Sequence, residues 1–384
     1  MPRPPWLPSE RAVATSTLSL LLAIAGAVTV VGSVWWTARR ASGRRAALIE
    51  LGAAGVVAIS QLVVIGLAGG GAFDAMSVVY LDVVVALPLV ALGLLLGAYL
   101  GRRWGLPRLG RLATAAALTI VVAFPALGFY ATHVEPYRVT LEKVEAVVAD
   151  TGSGNDPIRI GVLTDLQTTH IGDYERDAVD LLRAAHPDLV FVAGDLFQGT
   201  PRQFESNRRA LRDLIVSLDS PGGVYVVQGD TDDGPTLDAL FADTPVTYLW
   251  NEVVETQVGD RTIRIAGLGL GEGREGRAAL AELAAAPEGT VRLVLSHQPD
   301  WALEVPPGTV DLLVAGHTHG GQIQLPFVGP LLTLSDVPRD VAAGGLHEVG
   351  RTQVYVSHGV GHEQQGAPQV RFLAPPNVGL VTLR

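Results

Sequence analysis

Gly316-His317-Thr318-His319-Gly320-Gly321 follows directly on the apolar run Leu312-Leu313-Val314-Ala315. Four apolar residues bounded by turn formers read as a buried strand, so both imidazoles leave one strand end together. Neutral imidazole is the commonest protein ligand for transition metals, and flanking glycines let the backbone approach an ion with no Cβ in the way. Two ordinary loop histidines are the alternative, because so short a motif often arises by chance. The choice rests on whether other strand ends supply further ligands.

They do. Upstream, residues 158–163 form an apolar strand that ends in Thr164-Asp165-Leu166-Gln167, and residues 189–193 form another that ends in Gly194-Asp195. Residues 224–227 lead into Gln228-Gly229-Asp230-Thr231-Asp232, and residues 291–295 into Ser296-His297-Gln298. Helical spacing over 173–185, with Asp173 as a cap, and over 203–218 and 275–286 separates these strands. Further strands are predicted over 137–148, 253–258 and 262–266, with a polar turn at 150–156. A single Asp at a strand end is commonly a turn or helix cap. Five strand ends that each deliver Asp or His need another reason. In open α/β sheets the carboxyl edge binds ligands, and these groups can together hold two ions about 3.5–4 Å apart.

The first third of the chain has a different character. Hydrophobic residues make up 48% of the 384, and four long apolar stretches fall at 12–36, 51–73, 75–100 and 112–131. Each approaches or exceeds the roughly 20 apolar residues that cross a hydrocarbon core as a helix. The expectation is an α-helical membrane bundle of four transmembrane helices over 1–135, followed by an α/β domain over 136–384. Arg39, Arg40, Arg44 and Arg45 fill the first link, and Arg102, Arg103, Arg108 and Arg111 the third, which places both links in the cytoplasm. The link near Asp74 has no basic residue, so a multi-pass protein with its α/β domain outside the cytoplasm is predicted at the cell membrane. Asp82 is an ionisable residue within the third span, near its outer end, and Pro88 and Pro125 are expected to kink their helices.

Charge divides the same way. Ten Arg against five acids up to residue 135 leave −15 for the remainder of a chain whose net charge is −10. So acidic a domain argues against nucleic acid as partner and suits one that holds cations. With no cysteine in the chain, any metal must be held by imidazole, carboxylate and amide groups.

The ordered series Asp165-Leu166-Gln167, Gly194-Asp195, Gly229-Asp230-Thr231-Asp232, Ser296-His297 and Gly316-His317-Thr318-His319 resembles the five-motif signature of the calcineurin-like metallophosphoesterases. The resemblance covers roughly 137–384, including Val356-Ser357-His358-Gly359-Val360-Gly361 and the closing stretch 368–383. With the preceding helices, the chain is similar to the membrane-anchored branch of that superfamily. The resemblance implies a β-sandwich flanked by helices and two divalent ions, Mn, Fe or Zn. It places the first ion on Asp165, Gln167, Asp195 and His319, and the second on Asp195, Asp230, His297 and His317. Asp195 then bridges, and a hydroxide between the ions attacks phosphorus.

Three positions depart from the family pattern. Gln167 and Asp230 stand where His and Asn are usual, and Thr231 replaces the His that contacts phosphate. Candidates for the chemistry itself are therefore Asp195, Thr231, Asp232 and His170, with His358 and His362 as further imidazoles. The function expected is a membrane-anchored phosphoesterase acting on a phosphoester, lipid-linked or from the cell envelope, beside the bilayer. The alternative is a weak or inactive domain that binds metal or a phosphorylated ligand as a sensor coupled to the membrane bundle. A transport role has only Asp82 in its favour.

Overall fold

The computed structural model describes residues 10–40, 44–67, 71–100, 110–148, 157–271, 273–364 and 367–384, with side chains of 10–17, 35, 37–40, 44–54 and 72 left aside. The expected turn at 150–156 and most of the arginine-rich links lie outside these residues or side chains. Contacts divide the chain into two compact units, one holding residues 8–133 with 363–369 and the other 134–362 with 370–384.

The first unit consists of α1 (Glu10–Arg40), α2 (Arg44–Leu67), α3 (Ala72–Leu81), α4 (Leu87–Leu100) and α5 (Arg111–His133), with a π-helical turn at Asp82–Ala86 joining α3 to α4. Among the described residues two helices, Phe73–Leu100 and Arg111–Tyr137, are long and apolar enough to cross a membrane. The first two stretches contribute only the shorter apolar pieces Leu18–Val34 and Gly55–Leu67, so two of the four expected spans meet the criterion. Ala23, Ala27 and Ala86 are buried together among these helices. Asp82 is tied to a neighbour, its Oδ1 accepting from Gln61 Nε2 at 3.2 Å. The irregularity near Pro88 is this π turn, whereas α5 continues through Pro125.

The second unit begins with β1 (Thr140–Ala146) and β2 (Ile158–Leu163), then α6 (Asp173–Arg183), β3 (Leu189–Val192), α7 (Pro201–Val216), β4 (Val224–Val226), α8 (Gly234–Phe241) and β5 (Val246–Tyr248). It continues with β6 (Glu252–Val258), β7 (Arg261–Leu268), α9 (Arg274–Ala284), β8 (Val291–Ser296), β9 (Leu312–Ala315), the hairpin β10 (Gln324–Leu325) and β11 (Gly329–Pro330), α10 (Arg339–Ala342), β12 (Gly345–Val349), β13 (Thr352–Val356) and β14 (Asn377–Leu383). Two six-stranded sheets result, ordered β1-β14-β2-β3-β4-β5 and β12-β13-β9-β8-β7-β6. Both are mixed: β2, β3, β4 and β5 run parallel, as do β7, β8, β9 and β13.

Side-chain alternation builds the layers. Ile160, Val162, Leu189 and Phe191 of one sheet meet Ile263, Ile265, Leu293 and Val314 of the other in a single buried cluster. The intervening residues Val190 and Val192 face α6, α7 and α8, and Val294, Leu313 and Ala315 face α9 and α10. Central strands buried on both sides read as unbroken apolar runs, which is why they are conspicuous in the sequence. An α/β domain with two stacked mixed sheets and helices on the outer faces follows.

One local expectation is corrected. Asp173 is the first residue of α6 rather than its cap; Gly172 holds the cap position and its N–H is taken by the Glu175 carboxylate at 2.8 Å. The Asp173 side chain points outward, fully exposed, beside Arg176.

Candidate metal centre

Because β2, β3, β4, β8 and β9 run parallel within their sheets, their carboxyl ends share an edge, and the two edges meet. The junction is explicit: His297, after β8, places its Nδ1 2.7 Å from the carbonyl of Ala193, after β3. That carbonyl can only accept, so Nδ1 carries the proton and Nε2 is left as the ligand atom. Asp165, Gln167, Asp195 and His319 are all buried, while Asp230 and His317 are partly open. Five of the eleven non-glycine residues with positive φ among the described ones are Asp165, Gln167, Asp195, His317 and His319. Concentrated left-handed backbone marks a place where surrounding structure holds strain for a purpose.

Glycines give these loops their closeness. A Cβ on Gly229 would lie 2.2 Å from both the N and Oδ1 of Asp195, and one on Gly316 would lie 2.5 Å from Asp165 Oδ2. No larger residue fits either position.

The ligand groups converge. His317 Nδ1 lies 2.8 Å from Asp230 Oδ2 and 3.3 Å from His297 Nε2, and His297 Nε2 lies 3.3 Å from Asp230 Oδ2 and 3.5 Å from Asp195 Oδ2. Two sets have ligand atoms within 4.8 Å of one another: Asp230 with His297 and His317, and Asp165 with Asp195 and His297. His319 is adjacent to the second set, its Nε2 3.7 Å from Asp165 Oδ1. Behind His317, the carbonyl of Leu334 sits 3.1 Å from Nε2, a partner that orients the ring for coordination through Nδ1.

Electrostatics within the cluster are those of a cation site. Burial acts to lower the pKa of His297, but the carboxylates of Asp195, Asp230 and Asp165 outweigh it and hold the imidazole well above its usual range. His317 is likewise raised, burial being overcome by its bond to Asp230. Burial would raise Asp230, yet His297 and His317 keep it below the usual carboxylate range. Protons on two imidazoles thus supply the positive charge that the acids demand. Burial pushes Asp165 up to about 6, and burial and Arg371 drive His319 well below its ordinary value. Their 3.7 Å contact is therefore between a neutral imidazole and a carboxyl, not an ion pair. Oxygen and nitrogen donors so arranged fit divalent ions of the borderline kind.

The departures from the family pattern have visible partners. Gln167 Nε2 donates to Asp195 Oδ2 at 2.9 Å; turning the amide over would present its oxygen instead. Thr231 donates to Asp195 Oδ1 twice, from N at 2.8 Å and Oγ1 at 3.1 Å. Asp232 is not aimed at the cluster. Its two oxygens take the N–H groups of Asp195 at 2.7 Å, Leu196 at 3.0 Å and Gly229 at 3.0 Å, so it fixes the backbone that carries Asp195. Burial and the Asp195 charge push it up to about 7 against the pull of those bonds.

The remaining imidazoles are dispersed. His170 is exposed in the turn before α6 and belongs to neither set. Both ring nitrogens of His358 are engaged, 2.9 Å from Pro375 O and 2.8 Å from Ala343 O. His362 is near enough for its charge to reach His319.

Three contributors escape a reading of the motifs. Thr164 donates to Asp165 Oδ2 at 2.8 Å, and Gln298 Nε2 to Asp230 Oδ1 at 3.1 Å. Arg371, wholly buried, donates to the carbonyls of Gly361, Ala374, His358 and Gly359 and touches His319 Nδ1 at 3.3 Å. Its only sequence signal is an arginine inside the apolar run Val370-Arg371-Phe372-Leu373.

A two-sheet α/β domain whose parallel strand ends pool imidazoles and carboxylates offers a candidate site for divalent ions. Comparison shows what the domain is similar to. Residues 158–321 match the model of the calcineurin-like phosphoesterase family. The uncharacterized metallophosphoesterase YkuE of Bacillus subtilis (strain 168) is 28% identical over 268 residues, 66% of this chain and 89% of its own length. The phosphodiesterase YaeI of Escherichia coli (strain K12) is 29% identical over 218 residues, 53% of this chain and 76% of that one. A putative metallophosphoesterase, F40B5.2 of Caenorhabditis elegans, is 29% identical over 270 residues, 64% of this chain and 52% of that one. Family model and relatives support a likeness to the calcineurin-like metallophosphoesterase superfamily and indicate a hydrolase acting on phosphoester bonds.

Proposed function

We propose that this chain is a membrane-anchored phosphoesterase that works with two divalent ions, one on Asp165, Gln167, Asp195 and His319 and the other on Asp195, Asp230, His297 and His317. The observation that carries the reading is the pair of donor sets, Asp230 with His297 and His317 and Asp165 with Asp195 and His297, which share the buried His297. Bound ions supply Lewis-acid charge to the phosphoryl oxygens and lower the pKa of coordinated water.

The protein's own groups do the rest. Asp195 is held in one orientation by Thr231 and Gln167 on its carboxylate and by Asp232 on its backbone N–H. His297 Nε2 and His317 Nδ1 would hold metal, their outer nitrogens kept in place by Ala193 O and Leu334 O. The Thr231 hydroxyl is a positioning donor to Asp195 and a poor proton carrier, so leaving groups that depart without strong acid assistance are favoured. Manganese, iron and zinc all suit the donor set.

The two helices long and apolar enough to cross, Phe73–Leu100 and Arg111–Tyr137, and the arginine-rich link between them favour a phosphoesterase domain outside the cytoplasm. In that setting a lipid or cell-envelope phosphoester meets the site at high effective concentration. Purified full-length protein with Mn²⁺ is expected to hydrolyse bis(p-nitrophenyl) phosphate or p-nitrophenyl phosphate, and Asp195→Ala to lose that turnover. Metal-dependent turnover no greater than that of Asp195→Ala would leave the sensor reading, which the replacement of a family His by Thr231 favours.

A further inference from the structure

Gln322 to Ser335 contains no charged residue, and it leaves the metal-site loop directly. It folds as the β10–β11 hairpin, paired through Gln324 with Pro330 and Leu325 with Gly329. Phe327 at the tip is fully exposed, and Leu325, Val328, Leu331 and Leu334 are exposed along the same segment. Leu373, also exposed, follows Phe372, which bridges to Ile323 at the hairpin's base. Phe327, Leu334 and Leu373 all adopt positive φ, a costly conformation for bulky residues, here spent on holding apolar side chains outward.

Soluble surfaces seldom gather apolar side chains in this way without a partner. The hairpin is fastened to the metal centre. A Cβ on Gly321 would lie 2.4 Å from Pro330 Cβ, and the carbonyl of Leu334 orients His317. The same chain carries two helices long and apolar enough to cross a membrane, Phe73–Leu100 and Arg111–Tyr137, which favours a bilayer as the apolar partner.

We infer that the Leu325–Leu334 hairpin inserts its apolar tip into the lipid surface and brings the metal centre to the headgroups, so that the phosphoester hydrolysed is that of a bilayer lipid. The second part rests on the phosphoesterase reading; the insertion does not. An aromatic tip flanked by aliphatic residues and free of charge is suited to the boundary between headgroups and acyl chains.

The absence of cysteine makes the test clean. Full-length protein in nanodiscs of phosphatidylcholine and phosphatidylglycerol is labelled with an environment-sensitive fluorophore at Val328→Cys or, as an exposed control, Glu288→Cys. Lipid bearing a nitroxide on its acyl chain is expected to quench the label at 328 severalfold more than at 288. Equal quenching at both sites overturns the insertion, as does a label at 328 that is shielded without lipid quenching and self-quenches between copies, which marks a second chain as the occupant. Turnover provides the other arm. Phe327→Ser combined with Val328→Ser is expected to lower hydrolysis of phosphatidylglycerol in the nanodisc at least tenfold while leaving a soluble p-nitrophenyl ester within about twofold. Equal loss on both substrates overturns the lipid assignment. Quenching without any turnover refutes the phosphoesterase reading alone, and turnover without quenching refutes the insertion alone.

Discussion

Asp232 offers the sharpest separation of positioning from chemistry. Its carboxylate receives three buried backbone N–H groups, from Asp195, Leu196 and Gly229. In Asp232→Asn the amide keeps one acceptor oxygen. If that oxygen takes the place bonded to Asp195 and Gly229, the new NH₂ faces the N–H of Leu196, donor against donor. One hydrogen bond to a charged group is lost, worth about 1.5–3 kcal/mol. At pH 8, above its value of about 7, the wild-type carboxylate is ionised and the comparison holds. The neutral amide is also relieved of the burial cost and the Asp195 repulsion, so for a domain of this size the unfolding midpoint falls by about 12 °C at most. Thermal unfolding of the full chain in detergent, with EDTA and then with Mn²⁺, measures it. Metal affinity is expected to fall in parallel, because the backbone of Asp195 is no longer held. Unchanged metal affinity together with lost turnover would refute this reasoning and return Asp232 to the reacting atoms.

Three further outcomes are expected. The metal-free protein should lose stability as pH rises from about 6.5, because His297 and His317 have folded pKa values above their unfolded ones and their contribution disappears as those protons leave. Saturating Mn²⁺ should abolish that decline, and unfolding midpoints at pH 6.5 and 8.5 with and without EDTA would show it. Gly229→Ala should lose metal binding in equilibrium dialysis, since its Cβ needs the space of Asp195 N and Oδ1, and retained binding would disprove the close packing. Arg371→Met should destabilise the domain by several kcal/mol, at about 1–3 kcal/mol for each buried carbonyl left without its donor; denaturant unfolding that matches wild type would contradict the role given to the guanidinium.

Much of the domain was legible for a physical reason. Strands buried on both faces appear as runs such as Leu189-Val190-Phe191-Val192, and polar ligand types at their ends stand out against them. Harder to read was everything set by long-range pairing. β14 slots between β1 and β2 from the far end of the chain, and no local pattern announces that. The short elements α8, β5 and β10 carry too few residues for a period. Asp173 looked like a helix cap because its type suits one, but the reach of Glu175 to Gly172 decided the boundary. At the site, the identity of the ligand candidates was visible, whereas the hydrogen bonds that distinguish Asp232 from Asp230 depend on loop conformation. Arg371 was invisible as a participant, since four of its partners are carbonyls that no side-chain motif reveals. For the membrane half, composition marked four apolar stretches, but only two described helices combine the length and hydropathy needed for crossing.

The most direct test of the central claim is the metal content of full-length protein, dialysed against Mn²⁺ and then metal-free buffer, beside Asp195→Ala. Two equivalents per chain in the wild type, with less than one in the variant and no turnover, is the predicted result. A single equivalent in the wild type, or two equivalents and undiminished turnover in Asp195→Ala, would contradict a shared site built around that carboxylate.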